Sequence, residues 1–576
     1  MRLIIREYLS MLKESGELDA LLPDLLLSLG IKPLNRPGIG VRQFGVDIPA
    51  VGIDPVDNKR KLFLITVKQG DINRDVWDSG KQAVRQSLNE ILDSYLRMYV
   101  QPGHERLPKK IVLATGGDLK QDVAPDWNNY THQHTGKHAK YGQIEFEFWG
   151  ADHIADLIEE YFLDEYLFPE AAQKQLRKTI ALADQNEVEP QHFYAFVEAT
   201  LFERDLPSAR TASARRKRQH ALRLLNLSLS IVFHWCNEAD NLRPALLCAE
   251  RVVLRTWDWM RQNKVLQEET TLNEYVRLFI GYRNVSRAYV MKSLPYCLVR
   301  DGLFWHGLDT TEYPLRTFDL IGIFGIEIIG LIWYCNRIDE DKRAQIADLI
   351  HGLTQTLIAL INNNPAALNP RFDGHAIDIS IGLLALYNSG YHDDARKWVE
   401  ALARRVVFAY QMGRHFPIST DSYEDLVAMS TGDGPPKEKL MELSTLLPML
   451  AEWHAVLDIH TYDAFQQAVT AVFVQTDLQT WYPDNTTDEH LYRTNAGWES
   501  GATLSAIKLP ETLEKLRDWV IQIHKQRNVS DKLSCIAHGF PILGLLASRH
   551  FRTPVMPFYW QSLTQDPASA QSKNDE

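Results

Sequence analysis

Two hydrophobic rhythms divide the chain. Up to about residue 165, short β-rich runs alternate with helical stretches; from Phe193 to about Ser562, apolar residues recur at three- and four-residue spacing and strand signals are sparse. The first part predicts a helix over 3–30 broken near Gly16, strands over 46–53 and 61–68, and a long helix over 75–100. Strands over 109–115 and 144–149 follow, with a closing helix over 152–162. Trp77, Val84, Leu88, Ile91, Leu92, Tyr95 and Tyr99 form the apolar stripe of the long helix. This order describes a mixed α/β layer domain over 1–165. A connecting helix is expected over 166–190, and a large all-α domain, a helical array or solenoid-like, over 191–565. The polar residues 566–576 read as a disordered tail.

Between the first two strands lies the turn-forming run Asp54, Pro55, Val56, Asp57, Asn58, which makes them an antiparallel hairpin. With the turn centred between Val56 and Asp57, Asp47 falls opposite Thr66, and Lys68 follows two residues later. Alternation then puts Asp47, Thr66 and Lys68 on one side and Phe63, Ile65 and Val67 on the other, in a core. Gly45 lies just before the acid, where it lets the strand kink.

A carboxylate at a strand end with a lysine across a hairpin resembles the PD-(D/E)xK, or restriction-endonuclease-like, superfamily, over roughly residues 1–165. The resemblance implies an αβββαβ core, with Mg²⁺ (or Mn²⁺) held by Asp47 and a second acid, and Lys68 positioning or activating the water that attacks a phosphodiester. In that pattern the second acid stands two residues before the lysine. This chain has Thr66 there, and a hydroxyl is a poor ligand for a hard cation. Either another element supplies the charge, with Glu7, Glu14 and Asp71 as candidates, or the domain binds without cutting. Glu7 and Glu14 fall two turns apart on the same helical face; each also reads as a solvated helix acid.

Composition narrows the partners. The 576 residues carry a net charge of −12, so any contact with DNA (or RNA) needs a local basic patch. Lys81 and Arg85 border the long helix's apolar stripe near its start. Gln82 occupies the place where related nucleases often carry a glutamine, although helical geometry turns it away from that stripe. Between 201 and 225, Arg204, Arg210, Arg215, Arg216, Lys217, Arg218 and Arg223 stand against two acids. They read as a phosphate-tracking surface or as a solvated helix face. The five cysteines lack C-x-x-C spacing and the N-terminus lacks a signal-like apolar run, which suits reduced thiols in the cytoplasm. The apolar run 320–335 is short and contains Glu327, so a buried core helix is expected, with no membrane partner.

Other chemistry is disfavoured. Neither a P-loop nor a G-x-G-x-x-G after a strand is present. Ser500 lacks a nucleophile elbow, and His132, His134 and His138 lack acid or thiol partners at zinc spacing. Asp373, before an apolar helix, reads as its N-cap. Aromatics at 481–482 and 558–560 offer a partner surface wherever they are exposed. A nuclease joined to a long helical region resembles the effector-plus-sensor plan of prokaryotic anti-phage defence. The helical part would recognise a protein trigger or second subunit, in a homo-oligomer. The alternative is a nuclease-like DNA-binding or scaffolding protein without catalysis.

Overall fold

The computed structural model describes residues 2–34, 44–79, 83–101, 103–138, 141–161, 170–182, 189–203, 206, 209, 211–305, 310–493 and 500–564. The chain forms two compact units, Met1–Asn241 and Leu242–Glu576.

The first unit is built on one sheet. Its strands are β1 (Lys32–Pro33), β2 (Ile48–Ile53), β3 (Arg60–Lys68), β4 (Lys109–Thr115), β5 (Gly136–His138) and β6 (Gly142–Trp149), in the order β1-β2-β3-β4-β6-β5. Ile48 faces Ile65 and Pro49 faces Leu64. The hairpin register is therefore the expected one, with Asp47 level with Thr66. Asp54 fixes the turn: its Oδ1 accepts from the Val56 amide at 3.0 Å. Its Oδ2 holds Lys61 Nζ at 2.8 Å and Lys110 Nζ at 2.7 Å.

Strands β3, β4 and β6 run parallel. Helices Arg74–Asp78 and Val84–Glu90 lie on the crossover from β3 to β4. Every residue of β4, and of β3 after Arg60, is buried, because helices cover both faces of a parallel core. Leu62 and Leu64 share a core with Trp77, Leu88, Ile111 and Trp127. Phe63, Ile65 and Val67 are buried on the other face, as expected.

The N-terminal helix departs from its expectation. It comprises helices Arg2–Met11 and Asp19–Ser28, joined by an extended Lys13 and the π-helical turn Glu14–Leu18. Gly16 lies inside that turn, and the break comes before it.

The first unit also extends past the expected limit at 165. Helix Ala212–Glu238 belongs to it: Arg223 Nη1 donates to Ser28 Oγ at 3.1 Å, and the His234 ring meets Tyr8 edge-on at 6.1 Å. The apolar face of this helix closes on the N-terminal helices, so a linker-like composition over 166–190 does not end the unit.

The second unit is helical, with two small strand pairs, Leu443–Ser444 with Asp477–Leu478 and Thr480–Tyr482 with Ala502–Leu504. Together the units give a mixed α/β sheet near the N-terminus followed by an all-α region. Helix Glu312–Cys335 is long and apolar enough to cross a membrane, yet it packs inside the unit. Its Glu327 is buried, with Arg283 Nη2 and Ser286 Oγ each donating at 3.0 Å. A larger ionic core lies alongside. Arg549 Nη2 donates to Glu250 Oε1 and its Nη1 to Asp319 Oδ1 at 3.1 Å; His550 meets Glu250, while Arg243 and Arg316 hold Asp319.

Asp373 is a cap, but for a different helix. Its carboxylate accepts from Ser444 Oγ (2.6 Å), the Thr445 amide (2.6 Å), Thr445 Oγ1 (2.7 Å) and the Leu446 amide (3.3 Å), at the start of helix Leu446–Leu457. Asp373→Ala is expected to cost about 2 kcal/mol, because a cap is lost and buried donors are left unpaired. Chemical denaturation checks this; a change within about 0.5 kcal/mol would mean that water replaces the carboxylate without loss. The aromatics Trp481, Tyr482 and Trp560 are buried, which removes them as a partner surface.

Candidate active site at the end of the central hairpin

The site begins with the backbone. The Asp47 amide donates to Ile65 O at 2.9 Å, which extends the hairpin by one residue and brings the acid to the C-terminal end of β3. Asp47 Oδ2 then accepts from the Val67 amide at 2.7 Å and from Thr66 Oγ1 at 3.4 Å. No hydrogen bond engages Oδ1 among the described residues. Thr66 is buried and acts on Asp47 as a donor; it does not replace the second acid.

Gly45 sets the approach. It has φ +78°, and a Cβ there would lie 2.1 Å from Ser87 O on helix Val84–Glu90. The chain thus enters β2 pressed against that helix, in a conformation that costs L-residues about 1–2 kcal/mol. Gly45→Ala is expected to destabilise the first unit by about 3 kcal/mol, clash included, measured by urea denaturation. A neutral result would show that this entry segment moves freely.

Lys68, 7% exposed, ends β3. Its Nζ lies 3.8 Å from Glu14 Oε1. Glu14 therefore stands beside the lysine, and it comes from the π-turn and not from a regular helix. Burial pushes the Glu14 carboxyl up; Lys68 pulls it down, while Asp47 and Asp19 push it further up. Burial also raises Asp47, against the Val67 amide, Lys68 and Thr66, with Asp19 adding to the rise. Asp47, Glu14 and Asp19 thus share one field around a single lysine.

Asp19 was not singled out by sequence reasoning. In the π-turn the Asp19 amide donates to Glu14 O, a five-residue step that brings together acids an α-helical reading separates. Two other candidates make no ion pair with Lys68 among the described residues. Glu7 is exposed on the first helix and makes no ion pair with Lys68 among the described residues. Asp71 pairs with Lys120 Nζ at 2.7 Å and accepts from the Asp118 amide at 2.8 Å, which holds its carboxyl low. Among the described residues no group of three or more His, Cys, Asp or Glu is placed to hold a metal ion, the three histidines at 132–138 included.

The proposed nucleic-acid contacts divide. Lys81 and Gln82 lie outside the described residues, as do Arg204 and Arg210. Arg85 is exposed and 3.4 Å from Asp78. Arg215, Arg216 and Lys217 are exposed on helix Ala212–Glu238. Arg218 is a correction: it is fully buried and its Nη1 donates to Ala209 O at 2.9 Å. Arg223 is buried too, so the surface patch is smaller than the sequence count.

Comparison with protein-family models, with curated proteins and with solved structures finds no match for this chain.

Proposed function

We propose that the first unit is a metal-dependent nuclease of the PD-(D/E)xK type, with DNA as its substrate and RNA as the other polymer carrying the same bond. The reading rests on one juxtaposition: Asp47, with one carboxylate oxygen unengaged, shares an electrostatic field with Lys68 and Glu14 at the end of β3. Asp47 and Glu14 would hold Mg²⁺ (or Mn²⁺). Two carboxylates suit an ion that keeps several waters and takes its remaining ligands from substrate phosphate. The bound ion supplies charge neutralisation at the phosphate and a lower pKa for its water.

The chain's own residues do the rest. The Val67 amide and Thr66 hydroxyl clamp Asp47 Oδ2, so that Oδ1 keeps one direction. Lys68, nearly buried, offers a cation to the attacking water and to the charge that develops on the phosphoryl oxygens. Arg85, beside Asp78, and the exposed Arg215, Arg216 and Lys217 would meet the phosphate backbone. By analogy of plan alone, the enzyme is a cytoplasmic effector of prokaryotic anti-phage defence, homo-oligomeric and restrained by its helical unit until a trigger or second subunit binds.

Supercoiled plasmid incubated with the full chain is expected to be nicked or linearised with Mg²⁺ or Mn²⁺ and to stay intact with chelator. DNA that is retarded in a gel yet never cut with either metal would replace this reading with that of a nuclease-like binding protein, which Thr66 in the second acid's position favours.

A further inference from the structure

The second unit contains a cavity of about 40 Å³ among helix Ala376–Asn388, helix Leu446–Leu457, strand Thr480–Tyr482 and the segment after helix Ile542–Phe551. Its walls are apolar: Ile377, Met449, Trp481, Val555 and Trp560 line it and are buried. Its rim is charged. Asp421 and Arg552 also line the cavity and are exposed, so solvent reaches it there.

Gly374 organises that rim. Its amide donates to Asp421 Oδ1 at 3.0 Å, and its carbonyl accepts from Arg552 Nη2 at 2.9 Å. Arg552 Nη1 holds Asp378 Oδ2 at 2.9 Å, and Asp373 directly precedes Gly374. Three carboxylates therefore meet one guanidinium around this glycine, an excess of negative charge. Asp373 and Asp378 are buried and have donors of their own. Asp421 Oδ2 accepts no hydrogen bond among the described residues. It lies so close over Gly374 that a methyl there would collide with it.

Inside the cavity two hydroxyls are also unpaired. Ser380 and Thr480, 1% and 8% exposed, line it, and neither hydroxyl makes a hydrogen bond among the described residues. Ser380 does not even take the bond to the carbonyl four residues back that helical serines commonly make. An apolar occupant would leave both groups unsatisfied at a cost in free energy, whereas one carrying oxygen would satisfy them.

We propose that this cavity binds a small hydroxylated amine, with its ammonium on Asp421 Oδ2 at the rim, its hydroxyl at Ser380 and Thr480, and its short carbon chain against Trp481 and Trp560. The excess of carboxylates selects a cation, and apolar, aromatic walls beside a carboxylate suit an ammonium that carries carbon. The volume sets the size: at about 10–15 Å³ for each water position, the cavity takes a molecule of a few heavy atoms. The inference is independent of the nuclease reading, since it uses second-unit residues only.

Calorimetry on the full chain at low salt tests it, with ethanolamine titrated to roughly ten millimolar, the range a ligand of a few atoms requires. Ethanolamine is expected to bind, ethylamine to bind roughly tenfold more weakly for want of the hydroxyl, and ethylene glycol and glycolate, which lack the cation, not to saturate. Asp421→Asn keeps an oxygen for the Gly374 amide and accepts the left-handed backbone of this position; it should weaken ethanolamine roughly tenfold. Gly374→Ala, which displaces the Asp421 carboxylate and leaves every polar lining side chain in place, should do the same. Ser380→Ala should bring ethanolamine down to the level of ethylamine. No saturable binding of ethanolamine, or binding that Asp421→Asn leaves unchanged, overturns the site and leaves a cavity filled by water. Ethylene glycol binding as tightly as ethanolamine overturns the cation, and ethylamine binding as tightly overturns the hydroxyl.

Discussion

Lys68→Met is expected to lower Mg²⁺-dependent plasmid cleavage by about a thousandfold, the range for removing one charge-stabilising donor or one proton-handling group. Asp47→Asn should do the same and carry a second signature. In the folded protein, burial raises the Asp47 carboxyl above its usual range. A carboxyl raised on folding brings no penalty below its unfolded value of about 3.9; as pH rises past that value its charge works increasingly against folding, and the penalty is complete above the folded value. Asparagine keeps an oxygen for the Val67 amide and removes the charge. Asp47→Asn should therefore melt above wild type in chelator while failing to cut. Mg²⁺ should raise the melting temperature of wild type and leave that of the variant unchanged. Glu14→Gln should reduce cleavage by roughly ten- to a hundredfold if it completes the ion's surroundings. Cleavage that survives both Asp47→Asn and Lys68→Met would take the chemistry away from this hairpin.

The second large effect is on stability. Arg549→Met is expected to cost about 3–5 kcal/mol, since it leaves the buried carboxylate of Glu250 and the partly buried one of Asp319 short of their shared cation. Nearby arginines and the hydrogen-bonded His550 hold both carboxyls below their usual values, Asp319 through Arg243 and Arg549, Glu250 through Arg549. Depressed carboxyls contribute stability above their unfolded values and lose it as pH falls below about 4. The gap between wild type and variant should therefore be widest near neutrality and shrink under acid, where the stranded carboxylates take up protons. Denaturant titrations at several pH values measure this. A gap under about 1 kcal/mol, or one that does not change with pH, would mean that Arg243, Arg316 and His550 suffice.

What could be read from the sequence, and what could not, follows from the range of each interaction. The hairpin register was legible because strands alternate with period two and the Asp54–Asn58 turn fixes the offset; Asp47 and Lys68 followed from it. Glu14 was named, but for a geometry that does not exist. A π-turn spans five residues, leaves no mark in the spacing of apolar positions, and is what brings Asp19 into the same field. Arg218 was misassigned by counting charge over a window. Its spacing from Ala214, Ala221 and Leu225 puts it on the buried face, so periodicity contained the answer that composition obscured. The end of the first unit was hidden for another reason: an amphipathic helix does not say which face of which partner it covers, and Ala212–Glu238 covers the N-terminal helices.

The cap that Asp373 provides joins residues 72 positions apart in sequence. Closing such a loop costs about 4 kcal/mol of chain entropy before any contact forms. During synthesis the carboxylate leaves the ribosome well ahead of the helix whose amides it will hold. Until residues 444–446 emerge, the segment around Asp373 must keep that acid in water, so vectorial folding of the second unit waits on the arrival of Thr445.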